Sequence, residues 1–181
     1  MFGFEREIQD ISQPLETAVA LLLGDVTQGH PLLRIHSQCT TGEAFGSLRC
    51  DCKDQLDLAM RMIAAEGGLL IYEHQEGRGI GLMSKLKAYS LQEKGLDTIE
   101  ANRALGFTDD CRDFALPVAI LHLLGIKSVR LLSNNPQKSS ALRKGGIQIV
   151  EELPCECAPN PDAMVYLRTK KERMGHTLTL V

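Results

Sequence analysis

Short apolar runs alternate with longer segments of helical periodicity along this chain, and the alternation restricts the folds open to it. Apolar runs of about four to eight residues are typical of buried strands, and apolar residues spaced three and four apart are typical of helices that pack on a sheet. Strands that alternate with helices favour an α/β fold. A chain of 181 residues can bury the core of one such domain. We therefore predict a single α/β domain over residues 1–181.

Glycines and turn-forming pairs separate the predicted elements. The clearest helix is at 53–66, where apolar residues recur at helical spacing until the pair Gly67-Gly68 ends the pattern. Asn135 followed by Pro136 is typical of a helix N-terminus, with the asparagine as cap. The predicted strands are 18–23, 32–36, 69–72, 128–132 and 147–150. The predicted helices are 53–66, 81–94, 114–124, 136–144 and 164–174, the last within a C-terminal tail at 154–181.

Charge and the N-terminal residues exclude several classes of protein. The net charge of −3 gives no overall basic field of the kind that binds nucleic acid, so an anionic ligand would need a local cluster of Arg and Lys. The chain starts without a basic region followed by an apolar run, and the apolar stretch at 18–23 is too short to span a bilayer. We expect a cytoplasmic protein with no membrane or nucleic-acid partner. There, six cysteines favour thiols or metal ligands over disulfides.

Three cysteines, Cys39, Cys50 and Cys52, have the spacing C-x10-C-x-C. Thiolates are soft ligands that suit zinc, and a site with three protein ligands leaves a fourth position open for water. Zinc can lower the pKa of such a water to about 7, which provides a nucleophile at neutral pH. Two other interpretations stay open: ordinary free thiols, or a structural site that His36 closes as the fourth ligand.

The other three cysteines carry weaker signals. Cys155 and Cys157 repeat the C-x-C pattern in a proline-rich segment with no third partner nearby, so we interpret the pair as incidental. Cys111 stands alone among charged residues, which favours a solvated thiol.

The segment 75–81 is rich in glycine and lies between a predicted strand and a predicted helix. Its glycines allow the backbone to approach a ligand closely, and N–H groups at a helix start attract anions. Arg78 within it can bind a phosphate with two hydrogen bonds. The segment matches neither the dinucleotide-binding fingerprint nor the P-loop, and many such turns bind nothing.

Two further turns precede predicted helices. In the run 109–113, aspartates before a helix are usually caps, which explains Asp113 but does not require Arg112. An arginine beside carboxylates at a helix start could instead face phosphate in a cleft. The turn 133–138 offers hydroxyl, N–H and ammonium groups to an anion, although it is also an ordinary strand-to-helix turn.

Taken in order, these segments resemble the GTP cyclohydrolase II family. All of them match with compatible spacing from about Gly24 to His176, so the set is specific although each part alone is weak. The matching segments are Arg34-Ile35-His36-Ser37-Gln38-Cys39, Gly42-Glu43-Ala44, Ser47-Leu48-Arg49-Cys50-Asp51-Cys52, Gln75-Glu76-Gly77-Arg78, Asp97-Thr98-Ile99-Glu100-Ala101-Asn102, Leu105-Gly106-Phe107, Asp110-Cys111-Arg112-Asp113-Phe114, Ser133-Asn134-Asn135-Pro136 and Met174-Gly175-His176.

The resemblance implies a fold, a metal site and a substrate site. The fold would be a single domain with a mixed β-sheet and flanking helices. Cys39, Cys50 and Cys52 would bind one catalytic zinc per chain. The residues that would line a GTP site are Arg34, Ile35, His36, Ser37, Gln38, Gln55, Glu76, Gly77, Arg78, Thr98, Ser133 and Lys138.

The resemblance also implies a reaction. The family hydrolyses GTP to formate, pyrophosphate and 2,5-diamino-6-ribosylamino-4(3H)-pyrimidinone 5′-phosphate, the first step of riboflavin synthesis. Asp110 would be the proton acceptor, Arg112 the proposed nucleophile toward the α-phosphate, and Tyr89 an active-site tyrosine near the ring-opening chemistry. Magnesium would bind with the phosphates, and the protein would be a homodimer.

Two departures from the family pattern keep alternatives open. Gln38 stands directly before Cys39, where family members usually carry glutamate, so one negative charge is missing beside the first metal ligand. The chain is also expected to lack the family's first strand, which would make Met1 an internal or alternative start. The alternative functions are a diverged paralogue with an altered product and a zinc module that binds a nucleotide or protein without catalysis.

Overall fold

The computed structural model describes residues 1–6, 16–108 and 110–181, and within them a six-stranded sheet forms the centre of the molecule. The strands are β1 (Phe2–Arg6), β2 (Glu16–Leu23), β3 (Leu32–Ser37), β4 (Gly68–Glu73), β5 (Ser128–Leu132) and β6 (Gln148–Leu153). They lie in the order β1-β2-β4-β3-β5-β6. The pairs β1-β2 and β2-β4 are antiparallel, and the other three are parallel. The sheet is therefore mixed, which confirms the predicted fold class.

Helices connect the strands and cover the sheet. They are α1 (Thr40–Glu43), α2 (Cys52–Glu66), α3 (Gly81–Gln92), α4 (Thr98–Ala104), α5 (Ala115–Leu123), α6 (Pro136–Lys144) and α7 (Met164–Met174), with 3-10 turns at Glu76–Gly79 and Pro161–Ala163. Every predicted helix is present, and the ends differ by only a few residues; α1 and α4 are not predicted from the sequence. Among the described residues, no helix has the length and apolarity needed to cross a membrane.

The sheet is buried on both faces, because successive residues of β4 point into different cores. Leu69 and Ile71 pack in the larger cluster together with Ile120 of α5 and Leu142 of α6. Leu70, between them, packs in a second cluster with residues of α2. Burying each such side chain contributes about 1.5–3 kcal/mol, so these two layers hold the sheet between its helices.

Three parallel strands end at the same edge of the sheet. β3 leads into the loop that carries Cys39, β4 leads into the turn Glu76–Gly79, and β5 leads into Ser133. Ligands of α/β proteins bind at the carboxyl ends of parallel strands, where loops from neighbouring strands converge. This edge is where the segments singled out in the sequence meet.

β1 is an edge strand that the sequence analysis does not predict. It pairs with β2 in antiparallel register, with Phe4 opposite Ala18. Residues 2–6 thus form a strand, and the expectation that the family's first strand is missing stays a prediction.

Candidate active site

A cleft of about 350 Å³ lies at the carboxyl ends of β3, β4 and β5, and residues of α3 and α7 also line it. It brings together all of the predicted site residues except Ile35 and Asp110. Ile35 was predicted to line the cleft, but its side chain is 0% exposed and belongs to the sheet core. Asp110 does not line the cleft; its carboxylate accepts a hydrogen bond from Arg112, which does.

The three predicted metal ligands form one cluster. The Sγ atoms of Cys39, Cys50 and Cys52 all lie within 4.8 Å of one another, and those of Cys39 and Cys50 are 3.7 Å apart. Cys39 directly precedes α1, and Cys52 is the first residue of α2, so the two helix starts converge on this point. Hydrogen bonds from Cys50 and Cys52, together with the charge of Lys85, hold the pKa of the Cys39 thiol well below its ordinary value. The cluster could hold a metal ion.

His36 does not complete this cluster. Its Nε2 donates to Glu43 Oε1 over 2.9 Å, and its Nδ1 faces Arg34. Burial lowers the pKa of His36 to about 4, so the ring is neutral at pH 7. In the described part of the chain the metal cluster therefore has three thiols and no imidazole, which argues against a structural site closed by His36.

Glu43 is a residue of this site that the sequence analysis gave no role. Its Oε1 accepts hydrogen bonds from His36 Nε2 and from the backbone N–H of Cys39, and its Oε2 accepts one from the hydroxyl of Tyr72. The carboxylate therefore ties the metal loop to β3 and β4. The motif Gly42-Glu43-Ala44 is part of the family resemblance, but no pattern in the neighbouring sequence predicts that the Glu43 side chain points toward β3 and β4.

Lys85 is a second residue that sequence reasoning missed. From α3, its Nζ donates to Cys39 Sγ over 3.1 Å and to Glu76 Oε1 over 2.8 Å. Glu76 Oε2 also accepts the backbone N–H of Thr40 over 2.6 Å. The only available signal was that Lys85 and Tyr89 lie four residues apart, on one face of the predicted helix.

Gly42 packs directly against the thiol cluster. A Cβ at this position would lie 2.9 Å from Cys50 Sγ and 3.3 Å from Cys39 Sγ. We expect Gly42→Ala to weaken zinc binding, because the methyl group pushes two ligands away from their shared position. Gly3→Ala is the matched control, since a Cβ there meets nothing within 4 Å. The check is a zinc titration with metal analysis; a Gly42→Ala protein that binds zinc like the parent would contradict it.

The glycine-rich turn presents a buried cation to the cleft. Arg78 has a left-handed backbone with φ 64°, which a non-glycine residue adopts at a cost of about 1–3 kcal/mol. Its side chain is buried, and its two terminal nitrogens have no hydrogen-bond partner among the described residues. The turn packs closely on the segment around Cys111, and this needs glycine at position 79 because a Cβ there would lie 2.9 Å from the carbonyl oxygen of Cys111. An unpartnered buried guanidinium is suited to an anion from outside the protein.

Arg112 is held by a carboxylate. Its Nε and NH2 groups donate to the two oxygens of Asp110 over 2.9 and 2.6 Å, which is a bidentate pair. Burial lowers the pKa of Arg112, but the bond to Asp110 and its charge outweigh burial and raise that pKa above its ordinary value. Arg112 is thus a fixed cation. Asp113 was expected to cap α5, but the N-cap position is Phe114, which has no side-chain cap; Asp113 Oδ1, one residue earlier, accepts from Ala115 N. Asp109 lies outside the described residues.

Lys138 adds a further cation to the same wall. It is buried on α6, and its Nζ donates to the carbonyl oxygen of Ile35 over 2.7 Å. Burial, together with the positive charges of Arg34 and Arg112, lowers the pKa of Lys138 well below its ordinary value. The charge of Glu73 opposes this shift, and an anion bound near Lys138 would oppose it further.

Two further turns begin helices at the cleft, and Tyr89 lies on α3. Asn135 caps α6 by accepting from Gln137 N, which confirms the predicted helix start. Thr98 is the first residue of α4. Tyr89, on α3, has its hydroxyl 3.3 Å from Thr41 Oγ1, and burial raises its pKa, so it keeps its proton at neutral pH.

Comparison with known proteins identifies the family to which a chain with this site is similar. The family model described as GTP cyclohydrolase II matches residues 1–154. A GTP cyclohydrolase-2 of Buchnera aphidicola subsp. Acyrthosiphon pisum is 50% identical over 181 residues, which is 99% of this chain and 91% of that protein. A GTP cyclohydrolase-2 of Hahella chejuensis is 52% identical over 163 residues, which is 89% of this chain and 79% of that protein.

A longer relative contains the same region. The riboflavin biosynthesis protein RibBA of Porphyromonas gingivalis is 56% identical over 162 residues, which is 88% of this chain but only 40% of that protein. Both kinds of relative therefore match nearly all of the chain, and the family model covers the metal loop, the glycine-rich turn and the Arg112 segment. This chain belongs to the GTP cyclohydrolase II family.

Proposed function

We propose that this chain hydrolyses GTP to formate, pyrophosphate and 2,5-diamino-6-ribosylamino-4(3H)-pyrimidinone 5′-phosphate, as the first step of riboflavin synthesis. One observation carries the proposal: the three-thiol cluster lines the same cleft as Arg78, whose terminal nitrogens have no hydrogen-bond partner among the described residues. A metal site and an anion site in one cleft suit a substrate that joins a purine ring to a triphosphate.

The donor set fits zinc. Three soft thiols within 4.8 Å of one another match the ligands that zinc prefers, and a three-ligand site keeps a fourth position for water. Zinc bound there would supply an acidified water for hydrolysis of the purine ring. Around it, Lys85 donates to Cys39 Sγ and so stabilises that sulfur as a thiolate, while Glu43 and Gly42 hold the loop.

Tyr89 is proposed to act as a proton donor in ring opening. It lines the cleft beside the metal loop, where Thr41 contacts both its hydroxyl and Cys39 Sγ. Because burial raises its pKa, the hydroxyl is protonated and can donate to a nitrogen of the opening ring.

Arg112 is proposed to stabilise charge at the phosphates. A guanidinium acts as a nucleophile only after losing a proton, and Asp110 opposes that loss by raising the pKa of Arg112. Electrostatic stabilisation needs no deprotonation and is strongest for preorganised groups in a site that excludes water. Burial alone would raise the pKa of Asp110, but the bond to Arg112 and its charge lower that pKa in turn, so this carboxylate is a weaker base than a free aspartate. The proton-acceptor role that the resemblance implies for Asp110 stays a prediction.

Magnesium and a second copy of the chain belong to the same proposal. Magnesium would bind with the triphosphate and would stabilise its negative charge together with the side chains of Arg78, Arg112 and Lys138. A homodimer is carried over from the family resemblance.

The test is to incubate the purified protein with GTP, Zn²⁺ and Mg²⁺ and to analyse the products by mass. We expect formate, pyrophosphate and the diaminopyrimidinone phosphate. A formylated product that does not react further would identify a diverged paralogue. GTP binding without any product would identify a non-catalytic nucleotide-binding module, and neither outcome agrees with the proposal.

Gln38 provides a test of the main departure from the family pattern. Its Nε2 donates to Thr40 Oγ1 over 3.2 Å, and its backbone N–H donates to Glu73 O. We expect Gln38→Glu to leave turnover unchanged, because a carboxylate keeps the shape and the Thr40 hydroxyl can donate to it instead. The measurement is steady-state kinetics across zinc and magnesium titrations. Higher turnover or a shifted metal dependence would show that the missing carboxylate matters.

A further inference from the structure

The C-terminal helix α7 forms a wall of the cleft, although the family-model match ends at residue 154. Tyr166, Lys170 and Met174 are spaced four apart, so they share one face of the helix, and all three line the cleft. His176, just beyond the helix, lines it as well. Val165, which directly precedes this face, also borders the cleft and is 73% exposed. The face of α7 that carries Tyr166, Lys170 and Met174 is therefore turned toward the cleft.

The helix is fixed in this position by contacts at both ends. Leu167 packs with Ala163 and Leu178 in a small buried cluster. Asn134, at the end of β5, donates to the carbonyl oxygen of Thr177 over 2.8 Å, and Thr177 N–H donates back to Asn134 O. α7 is thus joined to the loop after β5, which is itself part of the cleft.

Two cations of the cleft meet on the ring of Tyr166. Lys170 Nζ lies 4.4 Å from the ring centroid, and the Arg78 guanidinium carbon lies 5.7 Å from it. Cation–π contacts of this kind hold an ammonium or guanidinium in place without neutralising it. Lys170 also donates to Asp51 Oδ1 over 3.0 Å, which uses one of its three N–H groups. Both terminal nitrogens of Arg78 lack a hydrogen-bond partner among the described residues, and the bond to Asp51 is the hydrogen bond described for Lys170 Nζ.

Several positive charges surround His176 at this end of the cleft. Its pKa is lowered to about 3, first by burial and then by the charges of Lys170, Arg112, Lys138 and Arg78. Asp51 and Asp110 pair with Lys170 and Arg112, whereas no salt bridge to Arg78 or Lys138 occurs in the described part of the chain. The cleft therefore holds an excess of cations, and α7 contributes one of them.

We propose that α7 is part of the substrate site, and that Lys170 binds the phosphates of GTP together with Arg78. Tyr166 is a positioning residue, because its ring keeps both cations directed into the cleft. The inference rests on the proposed function for the identity of the substrate, but the phosphate chemistry can be tested without turnover.

The test compares two neighbouring lysines of α7. Lys170→Met removes the cleft cation, and Lys171→Met removes the same charge from an exposed position whose described bond goes to the carbonyl oxygen of Val181. Inorganic triphosphate is titrated into each zinc-loaded protein by calorimetry, and KM for GTP is measured separately. We expect Lys170→Met to weaken triphosphate binding about tenfold or more and to raise KM similarly, because a charge-assisted hydrogen bond is lost. Lys171→Met should match the parent in both.

Further variants distinguish binding from a structural role, because Lys170→Met also leaves Asp51 without its cation. The double variant Asp51→Asn with Lys170→Met removes both charges of this pair, so a purely structural role predicts recovery and a binding role predicts continued weak binding. Tyr166→Phe keeps the ring and should bind triphosphate like the parent, whereas Tyr166→Leu should bind it more weakly. Zinc content is measured in every variant and should stay at the parental level.

The outcomes separate this inference from the proposed function. If the parent releases formate but Lys170→Met and Tyr166→Leu keep parental triphosphate affinity and KM, the role assigned to α7 is wrong and the proposed function stands. Recovery of binding in the double variant would also overturn the role of Lys170. If the parent binds triphosphate through Lys170 but releases no formate, the proposed function is wrong and the phosphate site stands.

Discussion

Replacement of Cys50 by serine is expected to abolish both zinc binding and formate release. Cys50 Sγ lies 3.7 Å from Cys39 Sγ, and the cluster formed with Cys52 contains three thiols in the described part of the chain. A serine hydroxyl is a poor ligand for zinc, so two thiols would remain, fewer than a catalytic site uses. We expect metal analysis to fall from about one zinc per chain to near zero.

Cys157→Ser is the matched control for this variant. Cys157 is half-buried and lies outside the thiol cluster, so its replacement should leave metal content and product formation unchanged. Cys155 is a poorer control, because its side chain is fully buried in the core beside α2, with its sulfur 3.6 Å from the carbonyl oxygen of Gln55. Unchanged zinc stoichiometry in Cys50→Ser would show that the assigned ligands are wrong.

The sequence predicts those elements whose pattern is set by local chemistry. The cap Asn135 and Pro136 at the first helical position place the start of α6 correctly, and the apolar run at 128–132 coincides with β5. α4 is too short for a periodic signal, yet the pair Asp97 and Glu100 forms a capping box that could have located it. None of the five residues of β1 is fully buried, because the strand lies at the edge of the sheet and pairs with one neighbour, so it lacks the apolar run that predicts the other strands.

The candidate site depends on contacts between distant segments, so its geometry is harder to predict. The three metal cysteines are close in the sequence, and their spacing identified them. Lys85, by contrast, reaches Cys39 across 46 positions, and Lys170 reaches Asp51 across 119. No local pattern marks either lysine as a site residue, because each looks like an ordinary charge on an amphipathic helix. The motif that includes Ile35 located β3 but did not show that this side chain packs in the sheet core.

A second large effect is expected at the phosphate end of the substrate. Arg112→Ala removes a preorganised cation and should lower the rate of pyrophosphate release by about 10²–10³. It also leaves Asp110 buried without its bidentate partner, which adds to the loss. Arg143→Ala is the matched control, since this arginine is exposed and pairs with Glu152 away from the cleft. The measurement is single-turnover release of pyrophosphate from GTP.

Tyr89→Phe should affect the other half of the reaction. It keeps the ring that contacts Arg49 and removes only the hydroxyl near Thr41. We expect pyrophosphate release to continue while deformylation is impaired, so that a formylated monophosphate accumulates or GMP is released. If Arg112→Ala leaves pyrophosphate release intact and Tyr89→Phe abolishes it, the two roles are reversed. If both variants match the parent in every product, neither residue takes part in the chemistry, and the ring and phosphate steps depend on other groups of the cleft.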